Sequence, residues 1–145
     1  MKEGKLKQNG VHLQEHEYST IKALLENGLD IELIPPSQIK GMYLPDININ
    51  GIPWEIKAPK GNGRNTIKHS FQNALNQSHN IILDLRRCRV PQSIAIREAE
   101  LHFRLSRRAH RMKIIVYSLN PGYKNKGIKI EKVDEKPYII LDYAK

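Results

Sequence analysis

The run Ile81-Ile82-Leu83-Asp84-Leu85 constrains this chain more than any other stretch. Its near-continuous apolar character marks a central strand buried on both faces, as in a sheet covered by helices on either side. Met112 to Tyr117 is a second buried strand of the same kind. Helical and strand patterns alternate around these two runs, so the chain reads as a mixed α/β domain. Its 145 residues suit one domain. Residues 1–12, polar and glycine-containing, are expected to be a flexible lead-in. Residues 13–145 are expected to form the domain.

The other elements follow from periodicity and punctuation. Residues 13–27 read as a helix with Leu13, Ile21, Leu24 and Leu25 at helical spacing, closed by Gly28. Ile31 to Ile34 is a short strand stopped by Pro35-Pro36, and a polar loop runs on through Lys40. Asp46 to Ile49 alternates polar and apolar, Asn50-Gly51 marks a tight hairpin, and Ile52 to Ala58 returns. A second helix starts near Asn65 or Thr66 and buries Ile67, Phe71, Ala74 and Leu75. A third runs from Pro91 to about Ala109, with Ile94, Ala95, Leu101 and Leu105 as its expected buried side. Ile128 to Val133 and Tyr138 to Leu141 read as a terminal hairpin.

Lys and Arg number 24 and Asp and Glu 15, a formal net charge of +9. Clustered positive charge favours a polyanion, and nucleic acid before an acidic protein or an anionic surface. No apolar run reaches 18 residues, so no helical membrane span is expected, and the polar N-terminus lacks a signal-peptide stretch. One cysteine, Cys88, excludes an intramolecular disulfide and a CxxC zinc knuckle. A P-loop, an HExxH and a complete GxGxxG are missing too.

The chemistry sits around the hairpin. Alternation places Glu55 and Lys57 on one strand face and Trp54, Ile56 and Ala58 on the other, with Asp46 at the start of the neighbouring strand. Two close carboxylates can hold a divalent metal through oxygen. Such an ion polarises a phosphate and lowers the pKa of water. Lys57 can position that water and offset developing negative charge. On the first helix Glu17 falls in the apolar stripe with Leu13, Ile21 and Leu24. A carboxylate there is costly unless paired or metal-bound, which makes it a candidate third acid facing Asp46 and Glu55. The competing reading is a rim position in a frayed first turn.

A helix carrying His16-Glu17, then Pro45-Asp46, a hairpin at Gly51, Glu55-Ile56-Lys57, a helix and a buried strand resembles the PD-(D/E)XK nuclease superfamily. The run Trp54 to Gly61, with Asn65-Thr66-Ile67 and Gln77-Ser78-His79-Asn80 to Asp84, resembles one subgroup of it. That subgroup is the C-terminal tRNA-nuclease toxin domains of contact-dependent growth inhibition proteins of the CdiA type. The likeness covers roughly residues 12–118. It implies a restriction-endonuclease-like αβββαβ core, a mixed central sheet flanked by helices, and a metal-dependent endoribonuclease cleaving tRNA. By motif position, Glu17, Asp46 and Glu55 are the metal ligands and Lys57 the catalytic lysine. Mg²⁺ or Mn²⁺ suits carboxylate ligands best, and the resemblance keeps Zn²⁺ open. It also implies a cognate immunity protein, delivery from another cell and action in the bacterial cytoplasm. A DNase of the same superfamily and a non-catalytic nucleic-acid-binding module stay open as alternatives.

Substrate contacts are expected from Lys60, Arg64 and Lys68 near the turn after the catalytic strand, where Gly61 and Gly63 allow close phosphate approach. His69 on the second helix and Gln77 after it join them. The third helix and its flanks carry arginines, Arg97 and Arg104 among them, with Arg86, Arg87 and Arg89 before and Arg107, Arg108 and Arg111 after. Their guanidinium forks suit phosphate.

Overall fold

The computed structural model describes residues 2–118 and 137–145. The apolar runs and alternating segments become one mixed sheet, with seven strands among the described residues in the spatial order of the sequence. The elements are β1 Leu6–Lys7, α1 Glu15–Glu26, β2 Ile31–Leu33, β3 Ile47–Ile49, β4 Ile52–Lys57, α2 Thr66–Leu75, β5 Asn80–Asp84, α3 Gln92–Leu105, β6 Arg111–Tyr117 and β7 Tyr138–Ala144. The pairs β1/β2, β4/β5 and β5/β6 are parallel; β2/β3, β3/β4 and β6/β7 are antiparallel. The expected αβββαβ order and mixed α/β class are both present, running from α1 to β5.

Alternation along the strands divides the core in two. Ile81, Leu83, Met112, Ile114 and Val116 pack under α2 and α3. Ile82, Ile115, Trp54, Ile47 and Ile31 pack with Ile21, Ala23 and Leu24 of α1 on the other face. All five residues of β5 are buried, as a strand covered on both sides must be.

Two turn readings hold in detail. Gly28 has φ +82°, its N–H donates to Leu25 O at 2.9 Å, and Leu29 N–H donates to Leu24 O at 3.2 Å. This is the Schellman arrangement, in which a glycine at positive φ closes a helix. Asn50 and Gly51 have φ of 51° and 80°, the double left-handed turn that joins two twisted strands.

Three expectations are corrected. The lead-in is tied down. Leu6–Lys7 pairs with Ile31–Glu32, Gly4 N–H donates to Leu25 O at 2.8 Å, and Lys5 N–H donates to Asp30 Oδ1 at 2.8 Å. Polar composition hid this because the pairing is made by backbone. On α3 the buried side is Ala95, Ala99 and Phe103, whereas Ile94, Leu101 and Leu105 are 40%, 40% and 69% exposed. Two stripes fit the same helical period, and the alanines let the helix approach the sheet closely. α3 also ends at Leu105 rather than near Ala109. At the other edge of the sheet β7 pairs along its whole length with β6. The expected partner strand Ile128–Val133 lies outside the described residues.

Candidate active site

β4 changes partner halfway along. Ile52, Pro53 and Trp54 pair with β3, and Glu55, Ile56 and Lys57 pair with β5. The last bond on the β3 side runs from Asp46 N–H to Trp54 O at 3.1 Å. The next β4 donor facing that side, Ile56 N–H, is taken by the Asp46 side chain, whose Oδ2 accepts it at 2.9 Å. A ladder that stops here would leave that N–H unpaired, so Asp46 both ends the β3 pairing and is held by it. On its other side Asp46 O accepts from Ile34 N–H at 2.9 Å. Residues 35–45 therefore leave and return at this fork. With α1 they wall a cavity of about 980 Å³ whose lining includes Glu17, Asp46, Glu55, Lys57 and Gln77.

Register decides where the side chains go. Glu55 lies opposite Ile81 and Lys57 opposite Leu83, so both share the α2–α3 face. Trp54 and Ile56 pack on the α1 face, as alternation predicted. Glu55 is only 3% exposed, yet Asp46 beside it is exposed. Lys57 Nζ stands 3.4 Å from Glu55 Oε2. Glu55 Oε1 is buried and has no hydrogen-bond partner. Burial first, then the Asp46 charge, pushes the Glu55 carboxyl up to about 8, against a smaller downward pull from Lys57. Adjacent carboxylates with little water do not both ionise cheaply. One proton stands where a cation of higher charge could stand.

Glu17 is placed differently. It belongs to the first turn of α1, the helix on the opposite face, and is half-buried on the wall of the same cavity. Its Oε1 accepts the Gln14 N–H at 3.1 Å, the reciprocal arm of a capping box. Accordingly, no set of three His, Cys, Asp or Glu side chains is gathered into a metal-binding cluster among the described residues. The structure brings Asp46, Glu55 and Lys57 together and leaves Glu17 across the cavity. Burial and charge fit the pair to a divalent ion. The unpartnered Oε1 and the forced proton on Glu55 are what such an ion would satisfy, and all-oxygen donors suit hard cations.

The expected substrate contacts separate into three groups. Gln77 lines the cavity. Lys60, Arg64, Lys68 and His69 lie outside its lining, exposed along the loop after β4 and the first turn of α2. There a Cβ on Gly61 would come within 2.9 Å of Thr66 Oγ1, so close packing against the helix start also explains that glycine. Arg97 and Arg104 are exposed on α3. Among the flanking arginines, Arg86 is not available to phosphate. It is 1% exposed, with Nε 3.0 Å from Asp84 Oδ1 and Nη2 2.7 Å from Oδ2. Thr20 Oγ1 donates to the same carboxylate at 2.6 Å, which fastens α1 to β5. Arg87 Nε donates to Ala58 O at 2.8 Å and Arg108 Nη2 to Leu75 O at 2.7 Å. Cys88 Sγ lies 3.6 Å from Gly61 O, and burial pushes its thiol up, which fits a structural role.

Sequence reasoning missed the 35–45 loop as a wall of the site. The available signal was the group Ile39, Met42, Tyr43 and Leu44 between two proline boundaries, too apolar for an ordinary loop.

No helix among the described residues is long and apolar enough to cross a membrane. No curated protein matches the chain. A solved structure that is similar, a CdiA-CT/CdiI toxin and immunity complex from Burkholderia pseudomallei, shares the fold at a TM-score of 0.56 and 18% identity, covering 97% of this chain and 100% of that one. The family model for the contact-dependent growth inhibition CdiA C-terminal domain matches residues 44–120, more than half of the chain, spanning Asp46, Glu55, Lys57 and the elements from β3 to β6. The chain therefore belongs to the CdiA C-terminal domain family of contact-dependent growth inhibition and is a toxin domain.

Proposed function

We propose that this toxin domain is a metal-dependent endonuclease of the PD-(D/E)XK type that hydrolyses phosphodiester bonds in RNA, with tRNA as its substrate class. The observation that carries the reading is the buried Glu55 carboxyl group beside Asp46, with Lys57 Nζ 3.4 Å away, at the fork where β4 leaves β3. Asp46 and Glu55 would hold a divalent cation, Mg²⁺ or Mn²⁺ before Zn²⁺, and Glu17 reaches the same cavity as a third ligand once it leaves its capping bond. The bound ion would polarise the phosphate and acidify water. Lys57, an ammonium beside that pair, orients the attacking water and stabilises charge developing on the phosphoryl oxygens. Ile56 N–H fixes Asp46, so this acid need not reorganise as the reaction proceeds. Surface Lys60, Arg64 and Lys68 and the α3 arginines Arg97 and Arg104 hold the phosphate chain, in keeping with the +9 charge.

The choice of RNA over DNA comes from the resemblance to tRNA-cleaving toxin domains. The same resemblance supports delivery from another cell, action in the target cell's cytoplasm and a cognate immunity protein as partner. The test is incubation with total tRNA and with duplex DNA, with and without Mg²⁺, Mn²⁺ and Zn²⁺, beside Lys57→Ala. Cleavage of tRNA that needs a divalent ion and is lost in Lys57→Ala is expected. Cleavage confined to duplex DNA would replace the reading with a DNase. Salt-sensitive binding with no cleavage by any ion would replace it with a binding module.

A further inference from the structure

The 35–45 loop exposes Ile39, Met42, Tyr43 and Leu44 at 64%, 50%, 76% and 38%. Core packing does not account for them, since they belong to neither hydrophobic cluster. Contiguous exposed apolar groups of this kind mark a contact surface. The loop also has a defined shape. Its base is clamped by the Ile34–Asp46 bond, and Met42 N–H donates to Ile39 O at 3.1 Å around Gly41 at φ +85°. Tyr43 is three residues from Asp46, so their backbones are at most about 10 Å apart. All four apolar residues line the cavity that contains Asp46, Glu55 and Lys57. The polar residues interspersed with them are cationic or neutral; Lys40 follows Ile39 directly.

We infer that Tyr43 is a stacking platform for an unpaired nucleobase next to the scissile phosphate, with Met42 and Ile39 as its apolar surround and Lys40 on the adjoining phosphate. This deepens the proposed nuclease reading and rests on it. The substrate it selects has unpaired bases at the cut, a hairpin loop or single strand, because a base already stacked in a duplex cannot leave it without cost. An aromatic face stacks every base, so the loop confers preference for structure rather than sequence. A protein partner would be met equally well by apolar groups, but a lysine inside the patch and the continuity with a phosphate-handling cavity favour a nucleotide.

The test uses an RNA hairpin with 2-aminopurine in its loop and the fully paired duplex of the same strand. Binding is measured with the 145-residue chain carrying Lys57→Ala, alone and combined with Tyr43→Ala or Tyr43→Trp. Hairpin binding with quenched fluorescence is expected. Tyr43→Ala should weaken it by about 5- to 150-fold, the range measured for loss of one base–aromatic stack, and Tyr43→Trp should retain it. Equal affinity and quenching in Tyr43→Ala, or equal binding of duplex and hairpin, would overturn the inference. Loss of a protein partner by Tyr43→Ala with RNA binding unchanged would also overturn it. Cleavage by the wild-type chain is scored separately. Tyr43-dependent quenching without cleavage sinks the nuclease reading and keeps the stacking site. Cleavage indifferent to Tyr43→Ala does the reverse.

Discussion

Replacing Glu55 by Gln should make the metal-free protein more stable at high pH and leave it almost unchanged at low pH. The Glu55 carboxyl is pushed from its ordinary 4.5 to about 8 by burial and by Asp46. Because the folded-state value is the higher one, the folded chain keeps a proton that the unfolded chain has released between these two pH values. The associated stabilisation is complete below about pH 4.5 and is lost as pH rises through about 8. At about 1.4 kcal/mol per pH unit, the full loss is about 5 kcal/mol. Water entry and relaxation around the charge reduce that ceiling, and about 2–5 kcal/mol is the working range. Gln has nothing to ionise at this position, so it escapes the loss. Urea unfolding in chelator at pH 5 and pH 9 measures the difference. With a slope of about 2 kcal/mol per molar, the middle of the usual range, the variant's midpoint should exceed that of wild type by about 1–2.5 M at pH 9 and by only about 0.4 M at pH 5. Excess Mg²⁺ or Mn²⁺ at pH 9 should raise the wild-type midpoint and leave the Gln variant where it was. Parallel wild-type and variant curves at the two pH values would refute the assignment of a forced proton on Glu55.

Three further outcomes test other parts of the structure. Asp84→Ala strands the buried Arg86 guanidinium, for which burial opposes the charge and the Asp84 carboxylate more than offsets it; a loss of about 3–5 kcal/mol in denaturant unfolding is expected, and a loss below about 1 kcal/mol would contradict it. Gly4→Ala places a Cβ against the Leu29 carbonyl oxygen, so about 1–3 kcal/mol should be lost by thermal unfolding, whereas a free lead-in would show none. Phe103→Ala should cost about 3–5 kcal/mol while Leu105→Ala, 69% exposed two residues on, should cost under about 0.5 kcal/mol; equal effects would put the wrong side of α3 in the core.

The elements with strong local signals were legible in the chain. Gly28 ends α1, Asn50-Gly51 joins β3 to β4, and Ile67, Phe71, Ala74 and Leu75 bury α2, because a turn or a helical stripe depends on neighbours in sequence. The pairing of Glu55 with Lys57 on one face was legible for the same reason, since strand alternation has a period of two. Where two periodic readings competed, on α3, packing chose the stripe with alanines, and sequence has no means of weighing close approach to a particular sheet.

What the sequence determined by itself was thus the α/β class, the order of helices and strands and the identity of the acids and the lysine beside the hairpin. Tertiary structure alone decided which of them meet. It put Asp46 against Glu55 because β4 leaves β3 for β5 there. It set Glu17, whose capping bond to Gln14 is local, on the wall of the same cavity, and it buried Arg86 with Asp84 among arginines that look interchangeable as a string. It also made a wall of the site from residues 35–45. Each of these depends on contacts between segments far apart in the chain, on desolvation and on competition for hydrogen bonds, none of which local periodicity records.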